Sequence, residues 1–175
     1  MVVKSPALTN VFSLNIRKEA ISLETVYDTY APGLYRYALA ITRSEADAED
    51  AVQDVFSRIA RRSSEFAKTR SPRAYLYSAV RNACLNLLKH RKRSDGANVD
   101  VGADDKANDS NHLLVRYEML KLPIDQREVI ILKVYDGMSF EEISAVLEIN
   151  KNTAASRYRY GIDRLRKALE ETDEI

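Results

Sequence analysis

The sequence has no tryptophan, a single cysteine, and only five glycines and four prolines among 175 residues. Cys84, being alone, excludes an intrachain disulfide, and no second cysteine exists to complete a zinc site with His90 or His112. A reducing, cytoplasmic setting is therefore expected. No apolar run approaches the roughly 18 residues a membrane span requires, and the N-terminus lacks the apolar stretch of a signal peptide. Membrane insertion is not expected. The scarcity of turn-forming residues, together with long stretches of apolar residues at three- and four-residue spacing, points to an all-α fold rather than to strands. An excess of one charge is missing too: 27 Lys+Arg stand against 26 Asp+Glu, a net charge of +1. Net charge alone thus announces no nucleic-acid partner.

The distribution of charge is informative where its sum is not. Between Arg58 and Arg93 lie Arg58, Arg61, Arg62, Lys68, Arg70, Arg73, Arg81, Lys89, Arg91, Lys92 and Arg93, with Glu65 as the single acid. Between Glu45 and Asp54 the charges are Glu45, Asp47, Glu49, Asp50 and Asp54, all acidic. Two surfaces of opposite sign are expected.

Periodicity divides the chain into an extension over 1–21, a helical domain over 22–93, a flexible polar linker over 94–111 and a second helical domain over 112–175. Ser22 caps a first helix bearing Leu23, Val26, Tyr27, Tyr30, Leu34, Tyr37, Ala38 and Ile41, which Pro32 is expected to kink or split. Ser44 and Asp47 read as a capping box for a second helix with the apolar stripe Ala48, Ala51, Val52, Val55, Phe56 and Ile59. Ser71-Pro72 opens a third. Its stripe of Leu76, Ala79, Val80, Ala83, Cys84, Leu87 and Leu88 leaves Tyr75, Ser78, Asn82, Asn86, Lys89 and Arg93 on another face. Residues 94–111 have almost no large apolar side chains and cannot offset the entropy of ordering. Beyond them come a short helix over 113–120 and another from Pro123, ended by Asp136-Gly137 with Gly137 as left-handed cap.

The C-terminal segment has the signature of a helix-turn-helix. Ser139-Phe140-Glu141-Glu142 is a capping box, Ile143, Val146 and Leu147 face inward, and Glu148 to Asn150 form the turn. The next helix, with Asn150 as cap, puts Ala154, Tyr158, Gly161, Leu165 and Ala168 on one stripe. Its other face presents Thr153, Ser156, Arg157, Tyr160, Arg164 and Lys167, flanked by Arg159 and Arg166. Short polar donors followed by guanidiniums are the groups that reach base edges and hold phosphates in a major groove. Glu148 sits where such turns often carry Gly; a left-handed backbone there would cost about 1 kcal/mol.

In these strings the chain resembles the sigma-70 family of bacterial RNA polymerase initiation factors, in its small extracytoplasmic-function (group IV) type. Residues 23–93 resemble the family's second conserved region, most plainly in Ala48-Glu49-Asp50-Ala51-Val52-Gln53-Asp54-Val55-Phe56. Residues 113–170 resemble the fourth, through Leu122-Pro123-Ile124-Asp125-Gln126-Arg127-Glu128-Val129, Ser139-Phe140-Glu141-Glu142-Ile143 and Thr153 through Leu165. No segment matches the third region, and the polar linker stands in its place.

The resemblance implies a cytoplasmic, non-enzymatic initiation factor without a cofactor. It implies docking of Asp47, Asp50, Gln53 and Asp54 on the largest subunit of the polymerase core, and a contact to the second-largest subunit through the helix before the helix-turn-helix. It further implies opening and reading of the minus-ten element by the third helix and the stretch before it. There Phe66, Tyr75 and Tyr77 supply rings, Asn82 and Asn86 supply amides, and Ser78, Lys89 and Arg93 share the face. Tyr77 lies nearer the buried side and is expected in the core. The helix-turn-helix would read the minus-thirty-five element through Thr153, Ser156, Arg157, Arg159, Tyr160 and Arg164. Ala155 and Tyr160 depart from the Lys or Arg common in the family, so the preferred promoter sequence is expected to differ. An anti-sigma factor is the usual restraint on such proteins.

The competing reading is a stand-alone helix-turn-helix regulator, which leaves the basic, aromatic-bearing third helix without a task. An enzyme acting on DNA would need carboxylates converging from several elements. Asp47, Asp50 and Asp54 instead share one helix face.

Overall fold

The computed structural model describes residues 22–94 and 110–173, so the expected extension over 1–21 and the central linker segment 95–109 lie outside it. All of the regular structure among the described residues is helical. In chain order it comprises α1 (Leu23–Thr42), α2 (Glu45–Arg61), α3 (Ser63–Phe66), α4 (Pro72–Ser94), α5 (Ser110–Lys121), α6 (Ile124–Ile130), a π-helical turn (Ile131–Tyr135), α7 (Phe140–Leu147) and α8 (Lys151–Asp173).

The first half is a bundle of α1, α2 and α4. Ser22 caps α1 by accepting from the Thr25 amide at 3.1 Å. Of the expected kink or split, the split does not occur: α1 continues through Pro32. Pro32 and Asp28 one turn before it are both exposed, so water can satisfy the carbonyl that a proline leaves unbonded. The cap of α2 is half of the expected box: Ser44 accepts from the Asp47 amide at 3.3 Å, while the Asp47 carboxylate pairs with Arg91 of α4 at 2.8 Å. The stripe of α2 is buried as its spacing requires. On α4, Leu76, Tyr77, Val80 and Cys84 are buried, while Ala79, Ala83, Leu87 and Leu88 pack partly covered at its margin.

In the second half α6, α7 and α8 pack around Val129, Leu132, Met138, Ile143 and Ala154. Gly161 permits the close approach of α8 to α6, since a Cβ there would stand 2.7 Å from the Ile130 Cδ1. The apolar run after α6 widens into the π turn, where the Asp136 amide reaches back to the Ile131 carbonyl at 3.2 Å. Gly137, at φ 63°, reverses the chain as its position predicts. The halves are not separate bodies: α7 lies against α4 and α6 against α1.

Candidate nucleic-acid interface

The helix-turn-helix forms as its local sequence dictates. Ser139 Oγ accepts from the Glu142 amide at 3.2 Å, and Glu142 Oε2 accepts from the Ser139 amide at 2.8 Å, completing the capping box. The Ser139 amide, and after it the Ser139 side chain, holds the Glu142 carboxyl below its ordinary pKa. Glu148 ends α7 in the left-handed region, φ 56° and ψ 43°, which is the strain its position threatened. Asn150 then accepts from the Asn152 amide at 2.8 Å and starts α8. Along α8, Thr153, Arg159, Tyr160 and Arg164 are exposed, with Tyr160 57% so, and Ser156 and Arg157 are half-buried. Arg157 leans on Asp125 at 3.3 Å, and Arg159 lies 5.7 Å from the Tyr160 ring.

A second polar face runs down α4. Tyr75, Asn82, Asn86 and Lys89 are exposed along it. Arg93 belongs to the same helix, but its side chain lies outside the described residues. Phe66 does not join this surface: it is buried, its ring 5.7 Å from that of Tyr75, because α3 turns the chain back onto α4. It supports Tyr75 from beneath rather than offering a ring of its own. Tyr77 is a core residue, as expected, its ring tilted against that of Tyr37 with centroids 5.5 Å apart. Ser78 is half-covered and donates to the Val146 carbonyl of α7 at 3.1 Å.

Beside Tyr75 lies a cleft of about 370 Å³ lined by Val55, Arg58, Arg61, Arg62 and Ala79 as well. One aromatic ring and three guanidiniums around an apolar floor suit a base and its phosphate. The basic block contained these arginines, yet spacing along the sequence could not bring the end of α2 to the start of α4. Other members of that block are engaged internally. Arg91 holds Asp47, Arg81 holds Glu128, and Arg73 donates to the Asp136 carbonyl.

The acidic face of α2 is smaller than its charges suggest. Asp50, Gln53 and Asp54 are exposed, and Asp54 pairs with Arg58 at 3.1 Å. The Asp47 side chain is only 14% exposed and turns toward α4.

Comparison with known proteins places both halves of the chain in one family. Residues 26–94 match Sigma-70 region 2, and residues 112–165 match Sigma-70, region 4. The ECF RNA polymerase sigma factor SigL of Mycobacterium tuberculosis is 31% identical over 166 residues, covering 87% of this chain and 92% of that one. The chain belongs to the sigma-70 family, among its extracytoplasmic-function sigma factors. RNA polymerase sigma factor CarQ of Myxococcus xanthus is 28% identical, covering 87% of this chain and 91% of that one. The sigma factor RpoE of Bartonella quintana, solved in complex with the anti-sigma factor NepR, superposes with a TM-score of 0.76 at 25% identity, covering 84% of this chain and 96% of that one. Being a sigma factor, the chain serves RNA polymerase in transcription initiation.

In sigma terms, α1 to α4 form region 2 and α5 to α8 region 4, and what joins them escaped the sequence. The Glu128 side chain, 2% exposed, accepts from Arg81 Nε at 2.8 Å, from Arg81 Nη2 at 3.3 Å and from the Tyr37 hydroxyl at 3.0 Å. Burial, then the Glu128 charge, pushes the Tyr37 phenol well above its usual pKa. The Asp136 side chain, 4% exposed, meets Arg36 at 3.4 Å. Burial raises its carboxyl, and Tyr77, Arg36 and Arg73 oppose that rise. The available sequence signal was an acid, Glu128, adjoining an apolar run. No helix among the described residues is long and apolar enough to cross a membrane.

Proposed function

We propose that this sigma factor docks on RNA polymerase core through Asp50, Gln53 and Asp54 of α2, with Asp47 positioning α4 rather than touching the polymerase. Region 2 then opens and reads the minus-ten element with Tyr75, Asn82, Asn86 and Lys89. Ser78 joins them once α7 withdraws, Arg93 follows on the same helix, and the arginine cleft beside Tyr75 receives a base turned out of the stack. Lys and Arg hold phosphates, the ring replaces lost base stacking, and the amides read an exposed base edge. Region 4 reads the minus-thirty-five element with Thr153, Ser156, Arg157, Arg159, Tyr160 and Arg164, while its first helices meet the second-largest polymerase subunit. An anti-sigma factor is the expected restraint, as RpoE of Bartonella quintana has in NepR.

The observation that carries this reading is the exposed row of Tyr75, Asn82 and Asn86 beside a cleft of guanidiniums, on a domain distinct from the helix-turn-helix. A duplex-binding regulator has no use for both. Run-off transcription with polymerase core on a randomised promoter library tests it, and enrichment of two spaced elements is expected. Initiation absent from every template, or recovery of the upstream element alone, would overturn it.

A further inference from the structure

Asp125 stands in the first turn of α6 with its carboxylate divided between two tasks. Oδ1 accepts from the Gln126 amide at 3.1 Å, which fixes the plane of the group, and Oδ2 lies 3.3 Å from Arg157 Nε on α8. The pair is half-covered, with the Arg157 side chain 29% and the Asp125 side chain 43% exposed. Gly161 brings the two helices this close. It lies one turn beyond Arg157, and a Cβ there would stand 3.3 Å from Gln126 Cβ, so the missing side chain lets the first turn of α6 settle against α8. Other arginines of α8 are held differently. Arg166 pairs with Asp163 of its own helix at 3.8 Å, and Arg159 lies against the Tyr160 ring. Arg157 is oriented from a second helix, whose position the core fixes.

What a guanidinium reads depends on which of its nitrogens are occupied. Nε is the one nearest the chain, and its engagement by Asp125 leaves Nη1 and Nη2 as a fork of donors at the far end. In the major groove guanine offers two adjacent acceptors, O6 and N7, which this fork matches. An arginine without such a hold has an easier alternative. It swings to a phosphate, which adds affinity on any sequence and selectivity on none. The Asp125 carboxylate opposes that swing twice, by holding Nε and by repelling a phosphate brought near it. A partly exposed ion pair biases side-chain orientation only a few-fold. Its effect therefore falls on selectivity between sites rather than on the stability of the fold.

We infer that Asp125 is a positioning residue for promoter selectivity: it presents Arg157 end-on to a guanine of the minus-thirty-five element and keeps it from the phosphate backbone. This rests on the proposal above that α8 reads that element. Asp125 acts through Arg157 and touches no base itself.

The test measures closed-complex affinity of the holoenzyme on promoters whose upstream element is varied one base pair at a time, across a range of salt concentrations. Wild type should prefer guanine about fivefold or more at one position, and Arg157→Ala should abolish that preference. Asp125→Asn keeps the shape of the side chain and its bond from the Gln126 amide but removes the charge. It should lower the same preference about threefold or more and bind mismatched sites at least as tightly as wild type. The slope of log affinity against log salt should steepen by about one, the mark of an added phosphate contact. Asp125→Glu, which restores the charge, should keep the preference within about twofold of wild type. A merely structural role would instead weaken binding alike on every site and leave the preference and the salt slope unmoved. That outcome, or wild-type selectivity in Asp125→Asn, would overturn the inference. A preference abolished by Arg157→Ala yet kept by Asp125→Asn removes the positioning role alone. Base preferences untouched by Arg157→Ala would remove the promoter-reading role of Arg157, and the inference with it.

Discussion

Cys84 shows how burial decides what a residue type can do. It lies on the apolar stripe of α4, fully covered, and burial pushes its thiol up to about 12. Relative to its reference value of 9.0, the thiolate fraction at neutral pH falls about a thousandfold. Alkylation by iodoacetamide should therefore be absent over hours in the native protein and complete within minutes in denaturant, as mass spectrometry would record; rapid native labelling would contradict this packing. Phe66 and Asp47 illustrate the same point from the polar and aromatic sides. Both have the right chemistry for contact with a partner, and both are turned inward, one under Tyr75 and one onto Arg91. Side-chain type was legible in the sequence; side-chain direction depended on neighbours distant along the chain.

Elements were the most legible level, because caps and apolar stripes are local. Ser22, Ser44, Ser139 and Asn150 each accept the amide bond that starts their helix. Glu148 holds a left-handed backbone without being glycine. Glu148→Gly should stabilise the protein by about 1 kcal/mol by relieving that backbone, measured by urea denaturation; a loss of stability would show that the glutamate makes a compensating contact. The α7 cap gives a pH-dependent counterpart. Because the Glu142 carboxyl titrates lower in the folded protein than in the unfolded chain, its contribution is present above the ordinary glutamate pKa. That contribution disappears as pH falls through the folded value. The stability advantage of the wild type over Glu142→Gln at pH 7 should thus shrink as pH drops below about 4. A gap constant down to pH 2 would count against the cap carboxylate. The π turn at Ile131–Tyr135 had no such local signal. A run of apolar residues looks the same whether its hydrogen bonds reach back four residues or five.

At the scale of the whole molecule the two surfaces proposed to meet DNA sit in one packed body, and the proposed division of labour separates them. Asn82→Ala should impair promoter opening, followed by permanganate reactivity, about tenfold or more, and leave closed-complex formation near wild type. Arg157→Ala should cost about 1 to 3 kcal/mol in closed-complex affinity and leave the opening rate little changed. Equal effects of both substitutions on both steps would refute the assignment. Arg157 rests against Asp125 in the free protein, so part of its measured cost reflects leaving that carboxylate without its partner.

The sequence by itself determined the helices, their caps, the identity of the helix-turn-helix and membership of the sigma-70 family. Each of these follows from spacings within about a dozen residues, where backbone geometry alone brings side chains together. Only the tertiary structure decided how the polar residues are shared between partners and the fold itself. It placed Arg58, Arg61 and Arg62 around a cleft with Tyr75, withdrew Phe66 and Asp47 from the surface, and set Glu128 against Arg81 and Tyr37. A charge near an apolar run looks like a surface residue until a countercharge 47 positions away makes its burial tolerable. That pairing depends on the approach of two helices that no local pattern specifies.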